Sequence, residues 1–181
     1  MKSEIKKEIT YPPHVTVEIR GAIIIVRGPQ GEVQRDFTYP GVVIALTTGV
    51  IALSTVRGTK REKKIIGSFS SHLKNMIKGV QDPHVYKLKI CSGHFPMSVT
   101  VSGQELAVKN FLGESVPRKI SFPRGVTINI NGTEIVVQSP DKELAGQTAA
   151  KIERLCHIRD HDMRVFQDGC YLVHKAGKEV A

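Results

Sequence analysis

The chain contains no tryptophan, and only 6% of its 181 residues are aromatic. Proteins that hold single-stranded nucleic acid by base stacking use several aromatic rings, so this composition argues against that mode of binding. Cysteine is also scarce. Cys91, Cys156 and Cys170 form no C-x-x-C pair and leave an odd number, which favours reduced thiols in a cytosolic protein over a disulfide framework.

Long apolar runs are missing as well. No stretch of about 20 apolar residues occurs, so we expect no membrane-spanning helix and no membrane partner. The N-terminal segment Met1-Lys2-Ser3-Glu4 has no apolar signal region, which argues against secretion. The sequence therefore predicts a cytoplasmic protein.

Acidic residues are outnumbered. The chain has 26 Lys and Arg against 17 Asp and Glu, a net charge of +9. Residues 1–93 hold 15 basic and 7 acidic side chains, whereas residues 94–181 hold 11 and 10. Such an excess favours a polyanionic partner through counterion release, although solubility alone is an alternative interpretation of the charge.

What the chain does have is an internal repeat, at an offset of about 82 residues. Matched pairs are Val17/Val99, Ile19/Val101, Gly21/Gly103 and Val26/Val108. A second similarity, at an offset of about 111 residues, covers one strand-turn-strand only. A duplicated unit of this size predicts two tandem domains, residues 1–93 and residues 94–181.

Each half shows strand patterns followed by one helix pattern. Residues 15–19 alternate apolar and polar side chains, and apolar residues recur at helical spacing from Ile66 to Val80, with Gly79 as the expected C-terminal cap. In the second half, Ser139 and Pro140 are expected to start a helix. Residues 86–90 and 170–174 are the expected closing strands. The predicted class is α+β, with an antiparallel-rich sheet and one main helix in each half.

A dense basic run precedes the first helix pattern, where we expect a loop. Its members are Arg57, Lys60, Arg61, Lys63 and Lys64. A solvated loop and a phosphate-binding surface explain this run equally well. Lys74 and Lys78, one turn apart on the polar face of the helix, could also reach phosphate. The scarcity of aromatic residues favours backbone and shape contacts to folded RNA.

Candidates for catalysis are few. No convergent set of acid, base and nucleophile is visible, so we expect neither catalysis nor a cofactor. Cys91, His94, His157 and His161 could together supply zinc ligands, which leaves a zinc-dependent enzyme as an alternative hypothesis. The glycines at 28 and 31 are typical of a hairpin turn, because no phosphate-loop lysine follows them.

Several motifs together resemble the large-subunit ribosomal protein six family, in its archaeal and eukaryotic branch. The resemblance covers nearly the whole chain. The matching segments are Val26–Gly31, Arg35–Phe37, Ser71–Val80, Tyr86–Lys87, His94–Pro96, Asn110–Glu114, Asp141–Glu143, Ile158–Arg159 and Asp162–Tyr171. Cys170 departs from the family pattern, which has an aliphatic residue before the tyrosine, and residues 47–60 lack the basic, tryptophan-containing stretch of many eukaryotic members.

The resemblance implies a structural protein that binds large-subunit ribosomal RNA. The second domain would then lie near the sarcin–ricin loop and the stalk base, with neighbouring ribosomal proteins as partners and translation GTPases docking close by. Candidate RNA-binding residues in that half are His94, Asn110, Arg118, Lys119, Arg159, Arg164, Lys175 and Lys178. For each of the cations, a solvated surface position is an equally good interpretation. A free-standing RNA-binding adaptor remains the alternative.

Overall fold

The computed structural model describes residues 3–93, 95–162 and 164–180, without the side chains of residues 3 and 57. The chain forms two compact units, which divide between Pro83 and His84. Within the described residues each unit combines antiparallel strand pairs with one α-helix, which confirms the predicted α+β class. None of the described helices is both long enough and apolar enough to cross a bilayer.

The first unit holds two three-stranded sheets and helix α1 (Lys60–Gln81). Its strands are β1 (Ser3–Thr10), β2 (Thr16–Arg20), β3 (Ile23–Gly28), β4 (Gly31–Asp36), β5 (Val43–Thr47) and β6 (Val50–Gly58). The sheets run in the orders β1-β6-β5 and β2-β3-β4. Ile66, Leu73 and Val80 on α1 pack against buried strand residues such as Ile24 and Leu53 to form the core of this unit.

The second unit holds a five-stranded sheet, a three-stranded sheet and helix α2 (Lys142–Leu155). Its strands are β7 (His84–Cys91), β8 (Ser98–Ser102), β9 (Glu105–Lys109), β10 (Arg118–Ser121), β11 (Thr127–Asn131), β12 (Glu134–Ser139), β13 (Gly169–Lys175) and β14 (Lys178–Glu179). The sheets run in the orders β11-β12-β7-β13-β14 and β10-β9-β8. Leu88, Ile135 and Ile152 are fully buried in the core of this unit.

The two units repeat one arrangement. The sheet β1-β6-β5 corresponds to β7-β12-β11, the sheet β2-β3-β4 corresponds to β8-β9-β10, and α1 corresponds to α2. Gly21 and Gly103 start equivalent hairpin loops, with φ of 64° and 60°, a region that glycine adopts without the penalty of a Cβ. Strands β13 and β14 extend the sheet of the second unit only.

Strand β7 is the largest departure from the sequence analysis, which placed it at the end of the first half. In the structure it pairs with β12 on one side and β13 on the other, at the centre of the second unit's sheet. It is the first strand of the second copy, as β1 is of the first. Strand β1 was not predicted. The units therefore divide at 83/84, whereas the repeat predicted a division after residue 93.

The predicted loop position of the basic run is wrong, because helix α1 begins at Lys60. Thr59 caps the helix: its side chain accepts from the backbone of Arg61, while the Glu62 carboxylate accepts from the Thr59 N–H at 3.1 Å and from the Thr59 hydroxyl. This Thr-x-x-Glu capping box is the sequence signal for the helix start. Four of the five basic residues thus lie in the first turns of α1.

The predicted caps at the end of α1 and the start of α2 are also wrong. Gly79 is buried inside α1, which continues to Gln81 and is capped by Asp82. Helix α2 is capped by Asp141, whose carboxylate accepts from the backbone N–H of Glu143 at 2.8 Å. The Ser139 hydroxyl instead donates to the carbonyl of Gly125 at 2.8 Å, which joins the end of β12 to the β10–β11 loop.

The β3–β4 turn packs closely against the C-terminal end of α1. The backbone N–H of Gln30 donates to the carbonyl of Val80 at 3.0 Å, and a Cβ on Gly28 would lie 2.7 Å from that carbonyl oxygen. We expect Gly28→Ala to lower the free energy of unfolding by about 2 kcal/mol, because the turn must move away from the helix. Urea denaturation measures this loss.

Gly67 supplies the matched control for that substitution. It lies inside α1, and a Cβ there would meet no atom within 4 Å. Gly67→Ala is expected to raise the free energy of unfolding by about 0.5–1 kcal/mol, since alanine has the higher helix propensity. If Gly28→Ala were as stable as the wild type, the close packing of turn and helix would not matter to stability.

Candidate nucleic-acid interface

Five lysines form one stripe along α1. They lie on one side of the helix, within an arc of about 100°, and all are exposed. We call this set the lysine stripe: Lys60, Lys63, Lys64, Lys74 and Lys78. From its first to its last member the stripe is about 27 Å long, at 1.5 Å per residue. Gly67 and Ser71 lie between its two ends, and their small side chains leave the helix backbone accessible in the middle of this face.

The lysine stripe works against helix stability. Lys60 and Lys64 are like charges four residues apart, as are Lys74 and Lys78, and such pairs destabilise a helix. Lys60, Lys63 and Lys64 also lie near the helix N-terminus, where the macrodipole disfavours cations. An arrangement that is unfavourable in the isolated helix is consistent with a polyanion as its partner.

Among the described residues, few acidic side chains lie near the lysine stripe, and they do not pair with its lysines. Glu62 is the acidic residue of α1, and it lies away from the stripe. Hydrogen bonding by Thr59 keeps the pKa of the Glu62 carboxyl below its ordinary value. Glu4, Glu8 and Asp82 line shallow clefts beside the stripe, and Glu8 is paired with Lys6 at 2.8 Å. In the part of the chain that the structure describes, no ion pair involves a lysine of the stripe.

The other basic residues of the predicted run are placed differently. Arg57 lies on β6, and its side chain is outside the described part. Arg61 lies off the stripe, with its guanidinium 5.7 Å from the centroid of the Tyr39 ring. The five residues are one cluster in the sequence, but the helix points the side chains of the four that it contains in different directions.

In the second unit, Arg118 has partners inside the protein. Its guanidinium makes a bidentate pair with Glu114 at 2.8 and 2.5 Å, donates to the carbonyl of Leu155 at 2.7 Å, and stacks 4.3 Å from the Phe111 ring centroid. Leu155 is the last residue of α2, so Arg118 satisfies a carbonyl that the helix leaves unpaired. These contacts give Arg118 a structural role.

We expect Arg118→Ala to lower the free energy of unfolding by about 2 kcal/mol at neutral pH, because it removes several charge-assisted hydrogen bonds. The side chain is 29% exposed, so solvent screening limits this loss. RNA affinity of the folded protein should change less than about threefold, the scale of one marginal phosphate contact. A large loss of affinity at unchanged stability would contradict the structural role.

The same pair predicts a dependence on pH. Hydrogen bonding to Arg118 lowers the pKa of the Glu114 carboxyl in the folded state. The carboxylate therefore stabilises the fold above its unfolded pKa, and this contribution disappears as the pH falls through the lower folded pKa. In Arg118→Ala the Glu114 carboxylate loses this partner, so the free energy of unfolding should fall less steeply as the pH is lowered. Urea denaturation at several acidic pH values measures the difference.

The remaining cations of the second unit fall into two groups. Lys119 lies 3.4 Å from Glu105, and Arg164 pairs with Asp162 at 2.8 Å on the surface. Arg159, Lys175 and Lys178 are exposed and have no ion pair among the described residues. Lys175 and Lys178 face each other across the tight β13–β14 hairpin, and like charges directly opposite each other repel. The hairpin tip is thus a second concentrated cationic site.

Asn110 belongs to a turn that is held from within the second unit. Its backbone is left-handed, with φ of 58°, and its side-chain amide donates to the carbonyl of Pro96 at 3.1 Å. The Phe95 ring lies against Gly113 of the same turn. These two contacts, of Asn110 with Pro96 and of Phe95 with Gly113, lie within the second unit. His94 lies outside the described residues.

The predicted zinc ligands do not assemble among the described residues. In residues 3–93, 95–162 and 164–180, no three His, Cys, Asp or Glu side chains are placed to hold a metal ion. His157 and His161 are exposed, whereas Cys156 is buried with its sulfur 3.6 Å from that of Cys170. This thiol pair was not predicted from the sequence.

Comparison with known proteins agrees with the architecture. The profile of the family described as "Ribosomal protein L6" matches residues 11–83 and 95–169, one segment in each unit. Three archaeal proteins named "Large ribosomal subunit protein uL6" align over nearly the whole chain. That of Nanoarchaeum equitans is 45% identical, covering 97% of this chain and 96% of its own.

The other two relatives have comparable similarity. The protein of Methanosarcina mazei is 41% identical, covering 97% of this chain and all of its own, and that of Methanococcus vannielii is 40% identical, covering 96% of each. These matches confirm the resemblance drawn from the motifs. The chain belongs to the ribosomal protein L6 family.

Proposed function

We propose that the protein is a structural constituent of the large ribosomal subunit that binds ribosomal RNA by electrostatic positioning and shape readout. Its relatives carry the name of a large-subunit protein. A ribosomal protein of this kind is not an enzyme: it acts by binding, and no cofactor takes part. The cytoplasmic ribosome is its proposed location.

The lysine stripe is the observation that carries this proposal. Five exposed lysines on one face of α1 lack ion pairs in the described part of the chain, although their mutual repulsion weakens the helix. Phosphates of folded RNA would relieve this repulsion and release condensed counterions. Because Gly67 and Ser71 have small side chains, an RNA backbone can approach the middle of this helix face closely.

The second unit contributes fewer unpaired cations. We propose the β13–β14 hairpin, with Lys175 and Lys178, and the exposed Arg159 as its phosphate contacts. Lys119 and Arg164 can exchange their acidic partners for phosphate, because surface ion pairs are weak. Further proposed contacts with RNA are Arg57, Arg61, His94 and Asn110, while Arg118 supports the fold.

The position on the subunit follows from the family resemblance. We propose that the second unit lies near the sarcin–ricin loop and the stalk base, beside the site where translation GTPases dock. Ribosomal proteins of the stalk base would be its neighbours there. The motifs in residues 158–171 and 110–114 support this placement.

Sucrose-gradient sedimentation of a lysate tests the proposal. Essentially all of the protein should travel with large subunits and whole ribosomes at moderate salt, and high salt should release it because phosphate contacts dominate. A free-standing RNA-binding adaptor would remain mainly near the top of the gradient. That distribution would contradict a constitutive place in the subunit.

A further inference from the structure

Cys156 and Cys170 lie together in the second unit. Their sulfur atoms are 3.6 Å apart, and both side chains are nearly inaccessible, with 4% and 1% exposure. Cys156 is the C-cap of α2, and Cys170 lies on β13, so the pair joins two elements that are 14 residues apart in the chain. Both are free thiols.

The distance suits a disulfide. A disulfide bond is about 2.05 Å long, so the two sulfurs need to approach by about 1.5 Å, which side-chain rotation can supply. A surface cleft reaches the pair from outside; its lining includes both cysteines, Arg154, His157 and Tyr171. A small oxidant therefore has a path to sulfur atoms that are otherwise enclosed.

The surroundings distinguish the two thiols. The contact with the Cys170 thiol and the nearby Arg118 guanidinium lower the pKa of Cys156, while the same contact and burial raise the pKa of Cys170. Arg118 is held beside Cys156 by its hydrogen bonds to the carbonyls of Leu155 and His157. Cys156 is thus the thiol that ionises first and attacks.

We propose that Cys156 and Cys170 form a redox-active dithiol, which a peroxide oxidises to an intramolecular disulfide within the second unit. The thiolate of Cys156 attacks one peroxide oxygen, the O–O bond breaks, and the released hydroxide takes a proton to become water. The sulfur of Cys170 then attacks the sulfenic sulfur of Cys156. The S–S bond forms, and the departing hydroxide leaves as water with the proton of Cys170. Two thiols and one hydrogen peroxide thus give one disulfide and two waters.

The disulfide would close the loop formed by residues 157–169. This loop carries Arg159 and Arg164, so oxidation would fix both ends of a segment that holds two candidate RNA contacts. It would also join the end of α2 to β13 in the five-stranded sheet. Because a cross-link restricts the unfolded chain, the second unit should become more resistant to heat, by at least about 5 °C. The inference does not depend on the proposed ribosomal function.

The test uses the full-length protein. After treatment with hydrogen peroxide and alkylation, peptide mass spectrometry should find residues 156 and 170 in one cross-linked species that lacks two hydrogens, while Cys91 remains alkylated. Dithiothreitol should restore both thiols. Recovery of both cysteines as alkylated or separately oxidised species, or a bond to Cys91, would overturn the proposal.

Two variants keep the test independent of folding defects. Cys91→Ser removes the third thiol and should form the same cross-link at the same rate. Cys170→Ser removes the resolving thiol, so Cys156 should accumulate as a sulfenic acid that dimedone traps. Absence of the cross-link in Cys91→Ser, or equal dimedone labelling of wild type and Cys170→Ser, would contradict the paired mechanism.

Discussion

Replacing Lys63 and Lys64 together by glutamate is expected to weaken binding to large-subunit ribosomal RNA by about 60-fold at 0.1 M monovalent salt. This figure corresponds to two lost phosphate contacts, each of which contributes about 0.9 to the slope of log affinity against log salt. The salt dependence should therefore become shallower by nearly two units. A filter-binding or fluorescence titration at several salt concentrations measures both quantities.

The fold should survive this charge reversal. Glutamate in the first turns of α1 interacts favourably with the helix dipole and removes the repulsion between Lys60 and Lys64, so the thermal midpoint should be unchanged or higher. A loss of affinity could then not be attributed to unfolding.

The matched control is Arg124→Glu with Lys151→Glu. Both cations are exposed, both lie in the second unit, neither is a proposed contact or next to one in the sequence, and the double substitution changes net charge by the same amount. Its affinity for RNA should fall by less than about fivefold, because only the long-range attraction due to net charge is reduced. Equal losses in the two variants would mean that only net charge matters. An unchanged affinity in the stripe variant would mean that these lysines are merely solvated.

Leu88→Ala is expected to lower the free energy of unfolding by about 3–4 kcal/mol. Leu88 is completely buried on β7, in the core of the second unit. If β7 belongs to that unit, the cavity should loosen α2, β12 and β13. Native-state hydrogen exchange followed by mass spectrometry should detect faster exchange in those elements, while α1 keeps its protection.

Leu73→Ala provides the reciprocal control. Leu73 is equally buried, but in the core of the first unit, so its loss should increase exchange in α1 and β3 and spare α2. The two variants compare cavities of one size in two separate cores. Faster exchange in α1 after Leu88→Ala would contradict the assignment of β7 to the second unit.

The architecture was accessible from the sequence wherever periodicity is strong. The apolar residues of α1 recur at helical spacing, and Gly21 and Gly103 mark equivalent hairpins, so the repeat and the α+β class follow from local pattern. Strand β1 was missed because its lysines and glutamates interrupt alternation. The position of β7 depends on pairing with β12 and β13, which lie far along the chain, and local pattern carries no information about that choice.

The candidate site, too, could be predicted from the sequence only in part. Five basic residues in eight drew attention to the right segment, but apolar periodicity begins only at Ile66, so the preceding turn of α1 was interpreted as a loop. Thr59 and Glu62 would have revealed the helix start. Once the helix is known, its geometry selects Lys60, Lys63 and Lys64 for one face and directs Arg61 elsewhere.

Charge alone could not identify structural cations. Arg118 resembles any surface arginine in the sequence, and only the fold brings Glu114, Phe111 and the end of α2 around it. Division of the chain at 83/84 also moves Lys87 and Lys89 to the second unit. The first unit then has 13 basic and 7 acidic side chains, and the second has 13 and 10. The charge difference between the halves is smaller than the earlier boundary suggested.

A density map of the protein in its native large subunit tests the central claim most directly. We expect ribosomal RNA to run along α1, with phosphate oxygens within about 4 Å of the ammonium groups at both ends of the lysine stripe, the range of a salt bridge. Further phosphates should meet the hairpin of Lys175 and Lys178. A map in which the stripe faces open solvent or another protein, with no phosphate in reach, would contradict the account.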